Sequence, residues 1–315
     1  MILLQQMLVL FAIMMIGYIC RKIGLFGKDA SKLLSAIVVN VANPALVLSS
    51  SINKESAIEG SELVVTMGLA VGFYIVLLLL AEIVPRLLRV NKKDYGVYKV
   101  MTVFSNIGFM GFPLLTAMYG SESLLYASLF LIPYNVLIYT YGVGALCIES
   151  DSDTQNVERN TSAWKSQLKK IFNIGVIACI VTIIIFFTKI RVPKVIEDIA
   201  GTLGNLTAPL SMMVIGDAMS QMNIKELLKD AKLMIFTVVK LIVVPVISLL
   251  ILKQFGLNPM LLGVCLVMIA TPVGSMTAML AQQYDGNYEL ASKGVALTTL
   301  LSVVTMPVVS MITGI

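Results

Sequence analysis

Long apolar runs alternate with short polar stretches along the 315-residue chain. A helix needs about 20 apolar residues to cross a bilayer. Ten runs come near that length: residues 2–20, 33–51, 62–88, 97–119, 123–147, 171–189, 197–220, 231–252, 259–283 and 292–313. The pattern predicts an all-α membrane protein of ten transmembrane helices. Two runs are interrupted. The fourth contains FSNIGFMGFPLL (Phe104 to Leu115), with Asn106, Gly108, Gly111 and Pro113 within eight positions. The ninth contains IATPVGSMTAML, with Thr271, Pro272, Gly274, Ser275 and Thr277. A helix in lipid must satisfy its own backbone, so breakers at this depth need a reason.

The longest polar stretch divides the chain in two. It predicts a five-helix repeat at residues 1–147, a cytoplasmic linker at 148–170 and a second five-helix repeat at 171–315. Trp164 is expected to anchor a short interfacial helix near the linker's end. An odd number of spans per half makes the halves an inverted repeat if they share a fold. Two correspondences point that way. Spans 2 and 7 both read Asn-x-x-x-Pro, with Asn40 and Pro44 in one and Asn205 and Pro209 in the other. Spans 4 and 9 both break with glycine and proline.

Composition sharpens the class. The chain is 58% hydrophobic and 13% charged, against about 25% charged in an ordinary soluble domain. Seventeen of the 23 lysines and arginines fall in alternate loops on one side, and five on the other. The basic side should be cytoplasmic, which puts a multi-pass protein in the cell (plasma or inner) membrane with both termini outside. The first cations, Arg21 and Lys22, follow the first apolar run, so that run is expected to be a retained span. Because the basic residues flank apolar runs, the net charge of +5 is read as membrane topology and no nucleic acid partner is expected.

Certain chemistries drop out. There is no histidine, which excludes Ser-His-Asp and Cys-His catalysis. Cys20, Cys147, Cys179 and Cys265 are far apart and give no metal spacing. The 19 methionines form no clustered soft-ligand site. No enzyme activity, metal or cofactor is expected.

Paired, interrupted spans at matching places in two halves are a sequence pointer to a transport site. Pro113 and Pro272 are each suited to the first position of a second half-helix, where the missing N–H costs nothing. Each half-helix would then aim its N-terminus, with free N–H groups and a positive dipole end, at the membrane centre. That arrangement favours an anion, and an organic carboxylate is the natural one. Asn106, Gly108, Gly111, Thr271, Gly274 and Ser275 would surround it. Asn43 and Asn205, near the prolines of spans 2 and 7, would line the cavity or cap freed carbonyls. Asn135 and Tyr139 in span 5 would face the pore or hold helices together. Lys240 lies within span 8, and an ionisable residue at such depth is a functional candidate. Glu82 and Asp217 are its candidate ion-pair partners, or carriers of a coupling proton, or charges that reach the inner interface.

The residues of spans 4 and 9 also carry a family resemblance. NIGFMGFPLL (Asn106 to Leu115) is similar to the Asn-x-x-x-Met-Gly-x-Pro-Leu-Leu of the auxin efflux carrier family, which includes plant auxin exporters and bacterial malate or malonate carriers. ATPVGSMTAMLAQQYDGN (Ala270 to Asn287) resembles the family's second crossover. The resemblance implies a fold like that of bile acid symporters and sodium/proton antiporters. Spans 1, 2, 6 and 7 would form a scaffold, and spans 3–5 and 8–10 a moving transport unit, with spans 4 and 9 crossing at the prolines. It further implies a homodimer and a substrate-binding role for Asn106. The chain departs from plant members at Thr102, where they carry a second asparagine. It also has Glu62 but no following lysine at the start of span 3. Those departures shift the expected substrate from an indole auxin towards a small dicarboxylate.

Together these readings predict a carrier of a small organic anion, malate- or malonate-like or auxin-like, working by alternating access as a secondary active transporter or a uniporter. Proton coupling, sodium coupling and potential-driven uniport are all compatible with the sequence. An anion channel and a transporter-fold receptor are the rival classes.

Overall fold

A computed structural model describes residues 2–49, 52, 61–120, 123–150, 174–188, 190–221 and 230–315. The linker and the helix expected at Trp164 lie outside the described residues.

The described chain is helical, in the order α1 (Ile2–Lys22), α2 (Ala30–Ser49), α3 (Ser61–Leu87), α4 (Tyr95–Val103), α5 (Phe112–Tyr119), α6 (Ser123–Leu137, continuing to Ser150), α7 (Ile174–Thr188), α8 (Lys194–Gly204), α9 (Thr207–Gln221), α10 (Ala231–Lys253), α11 (Pro259–Ala270), α12 (Met276–Gln283) and α13 (Tyr288–Thr313). Among the described residues, six runs are long and apolar enough to cross a membrane: Ala30–Ser49, Glu62–Leu87, Leu129–Cys147, Lys194–Gln221, Ala231–Lys253 and Tyr288–Thr313. Side-chain oxygens of Asp230, Asn258 and Asn287 accept from backbone amides at the starts of α10, α11 and α13, supplying what the first turn of a helix lacks.

Four π-helical turns interrupt the α-helices among the described residues: Val38–Ala42, Ile107–Gly111, Ile138–Gly142 and Val239–Val243. Three have a proline two residues beyond their end, at Pro44, Pro113 and Pro245. A proline ring inside a helix collides with the carbonyl four residues back, and here that carbonyl lies within the widened turn.

Apolar side chains follow the bilayer logic. Along α3, Val64, Val71, Ile75, Leu79, Ile83 and Leu87 are exposed on the outside, where lipid would solvate them. The opposite face buries Ala70, Tyr74, Leu77, Ala81 and Val84 in the core. α1 lies along α9 at backbone distance: a Cβ at Gly17 would overlap the Met213 carbonyl, and one at Gly216 would overlap that of Met14. Small residues permit such approach, and in membranes the resulting packing drives helix association. α2 packs on α7 and α8 in the same group, with Gly204 against the Leu46 backbone. α4 packs on α3 and on the end of α6.

Candidate functional site

The two interrupted runs meet. α4 ends at Val103, Phe104 turns extended, and the chain resumes as helix at Ile107. α11 ends at Ala270, Thr271 turns extended (φ −64°, ψ 147°), and helix resumes at Met276. The links between them lie antiparallel, with Ser105 bridged to Val273. The Asn106 amide donates to the Pro272 carbonyl at 2.7 Å, and the Gly274 amide to that of Phe104 at 2.8 Å. The Val273 amide donates to the Thr298 hydroxyl of α13 at 3.1 Å. Each break thus satisfies backbone groups that the other exposes, as a buried non-helical segment must. Gly274 has to be small, because a Cβ there would stand 3.1 Å from the Ser105 carbonyl oxygen.

The prolines do not begin the second half-helices as the sequence reading expects. Helix resumes at Ile107, six residues before Pro113, while Pro272 lies in the extended link before Met276. Mutual pairing of the links, not proline at a helix start, opens both breaks.

A cavity of about 150 Å³ lies beside this crossing. Its polar lining comprises Asn43, Ser49, Asn106, Asn135, Gly274 and Ser275, with Gly108 from the π-turn. Leu46, Val47, Phe112, Leu131, Tyr134 and Met276 supply its apolar walls. The Asn106 side-chain nitrogen and the Ser275 hydroxyl are buried without a hydrogen-bond partner. Unpartnered buried donors of this kind call for a ligand or an ordered water. Among the described residues, the lining contains no lysine, arginine, aspartate or glutamate.

The other predicted residues sort around this cavity. Tyr139 stands behind it: Asn43 donates to the Tyr139 hydroxyl at 2.8 Å, and that hydroxyl donates to the Val39 carbonyl at 3.3 Å. Thr271 and Pro272 are buried in the extended link. Gly111 packs against Val267 of α11. Pro113 lies in α5. Asn205 is exposed at the C-terminal end of α8, away from the cavity lining. It neither lines the cavity nor caps a freed carbonyl, because α8 stops there and α9 starts afresh at Thr207.

Lys240 is buried, with 3% exposure. Its Nζ donates to the Thr102 carbonyl at 2.8 Å and to the Ser105 hydroxyl at 2.9 Å. The expected carboxylate partners are engaged elsewhere. Glu82 pairs with Lys99 at 2.6 Å and Arg86 at 3.1 Å. Asp217 pairs with Arg21 at 3.3 Å and accepts from Ser31. Thr102 lies in the last turn of α4, whose final carbonyls have no helical partner, and a cation there also meets the negative end of the helix dipole.

Sequence reading passed over Leu46, Val47, Ser49, Phe112, Ser105 and Thr298. Leu46, Val47 and Phe112 had a signal, since Leu46 and Val47 follow Asn43 at helical spacing and Phe112 follows Gly108 by four. Ser105 and Thr298 had none, because their partners come from distant segments.

Among the described residues, no group of three or more His, Cys, Asp or Glu side chains converges as a metal site would require. The sequence profile of a family described as "Membrane transport protein" matches residues 2–310. A protein named "Uncharacterized transporter" from Methanothermobacter thermautotrophicus is 23% identical over 315 residues, covering 98% of this chain and 97% of that protein. A second of that description, from Methanocaldococcus jannaschii, is 23% identical over 313 residues, covering 96% of each.

Proposed function

Since the chain belongs to the membrane transport protein family, that of the auxin efflux carriers, we propose that it carries a small organic anion by alternating access, as a secondary active transporter or a uniporter. The carrying observation is the pair of unpartnered donors, Asn106 and Ser275, where two half-helices begin beside one cavity. Helix starts present free N–H groups and a positive dipole end, and neutral donors complete a carboxylate's shell without a bound cation.

In this proposal ten spans form two inverted five-helix repeats, residues 1–147 and 171–315. Spans 1, 2, 6 and 7 are the scaffold, through which two copies pair, and spans 3–5 and 8–10 move. The close backbone contact of α1 with α9 and the packing of α2 on α7 and α8 support a rigid scaffold. The protein lies in the cell membrane with both termini outside, on the strength of the lysine and arginine distribution.

The lining of α2 supports an outward-accessible state. Asn43 at the inner end of the cavity is buried, while Ser49 is half-buried. One turn towards the basic side, Asn40 and Gln283 of α12 exchange side-chain hydrogen bonds at 3.1 and 3.2 Å, and Ser35 donates to Gln282 at 2.7 Å. Release to the inside requires these contacts between scaffold and transport unit to part.

The test is flux of radiolabelled carboxylates into proteoliposomes, with thermal stabilisation by the same acids. A ligand that binds only the folded form raises the melting temperature with concentration. Asn106→Ala should remove both stabilisation and saturable flux while the protein elutes as before. Undiminished flux in that variant would remove Asn106 from the site.

A further inference from the structure

Lys240 stands behind the crossing rather than in the cavity, and its charge is not matched by another side chain. Lys240 and Thr102 share a small void with the apolar side chains of Val84, Phe236, Val239 and Val244. Among the described residues the acceptors of Lys240 are neutral, a carbonyl and a hydroxyl, and no carboxylate pairs with it. A buried cation of this kind costs free energy unless an anion comes near. The end of α4 offsets part of that charge. Ser105 and Asn106 are consecutive in the non-helical link, and their side chains serve different neighbours. Ser105 faces Lys240, and Asn106 faces the cavity.

We infer that Lys240 is the fixed counter-charge of the site and sets its preference for a carboxylate over a neutral ligand of the same shape. This rests on the transport reading above and adds a specificity-determining residue to it. The charge acts across the one link that separates Lys240 from Asn106, and an interior charge that near a bound carboxylate changes affinity by about tenfold or more. A single fixed cation matches a single carboxylate, so the remainder of the ligand is expected to be apolar, like the walls formed by Leu46, Phe112, Leu131 and Tyr134.

The experiment compares acids with their primary amides: benzoate with benzamide, indole-3-acetate with indole-3-acetamide, and malonate with malonamide. Affinities are measured on the purified full-length chain by calorimetry or by concentration-dependent melting. The wild-type protein should favour the carboxylate of at least one pair. Lys240→Met should lower that preference about tenfold or more by weakening the acid while leaving the amide within twofold. Lys240→Arg should retain the preference. A purely structural role would weaken acid and amide together, and that outcome overturns the inference. If Lys240→Met does not purify as a monodisperse protein, Lys240→Gln, which retains a donor for Thr102 and Ser105, is held to the same criterion. Equal preference in wild type and variant removes Lys240 from specificity while leaving the carrier reading intact. A wild-type protein that favours no carboxylate overturns both.

Discussion

Where α4 breaks, its end meets a buried ammonium; where α11 breaks, the side chain that meets the link among the described residues is the Thr298 hydroxyl. The backbone plan of the two breaks is shared. Each runs helix, three to five non-helical residues, then helix, and each donates an amide to a carbonyl of the other. The side chains that finish them are not shared. Lys240 closes on Thr102 and Ser105 at the first, while Thr298 accepts from Val273 at the second. Glycine is also used differently. Gly274 is pressed against the Ser105 carbonyl, whereas nothing stands within 4 Å of a Cβ built on Gly108. Symmetry of the backbone therefore does not extend to charge: a cation serves one side of the crossing, and a purely neutral network the other.

That difference can be broken at its most constrained point first. Gly274→Val places a branched side chain against the Ser105 and Phe104 carbonyls. It should cost about 3 kcal/mol or more through overpacking and abolish ligand binding, as seen in the melting temperature and in a loss of stabilisation by acids. Thr298→Val keeps the shape but strands the buried Val273 amide, for an expected loss of about 1–2 kcal/mol measured by denaturant unfolding in detergent. Gly108→Ala is the control on the first break. The space is open, so stability should change by less than about 0.5 kcal/mol, while the added methyl in the cavity lining alters which acids bind. A large destabilisation by Gly108→Ala would show that the two glycines are equally confined and erase the contrast.

Much of this was legible in the residues. The clustering of Asn106, Gly108, Gly111 and Pro113 in one apolar run, and of Pro272 and Gly274 in another, marked where regular helix is interrupted. Asn43 and Asn135, amides in two further runs, reach the same cavity. The partners of Lys240 could not be read. A carbonyl is carried by every residue, so an acceptor such as that of Thr102 leaves no trace in sequence, and carboxylates were the natural candidates. Glu82 and Asp217 proved to have nearer cations in Lys99, Arg86 and Arg21. Asn205 misled because Asn-x-x-x-Pro has two outcomes. After Asn40 the helix widens into a π-turn and continues, whereas after Asn205 it stops and restarts at Thr207. The motif records that a proline follows, not how the preceding turn accommodates it.

The three π-turns that lie within continuous helices also act as phase shifters. Each holds one residue more than the regular spiral needs, and one residue is about 100° of rotation. Everything beyond Ala42, Gly142 or Val243 is therefore turned by that angle relative to an uninterrupted helix. A polar stripe that would have continued down one side is handed to another, and on α2 the stripe of Ser31 and Ser35, joined to other helices, gives way to Asn43 and Ser49 at the cavity. Counted in evolutionary steps, a single-residue insertion next to a proline is enough to redirect half a helix. Comparisons of this chain with its relatives should therefore place their one-residue gaps at these turns, inside helices, as well as in the loops.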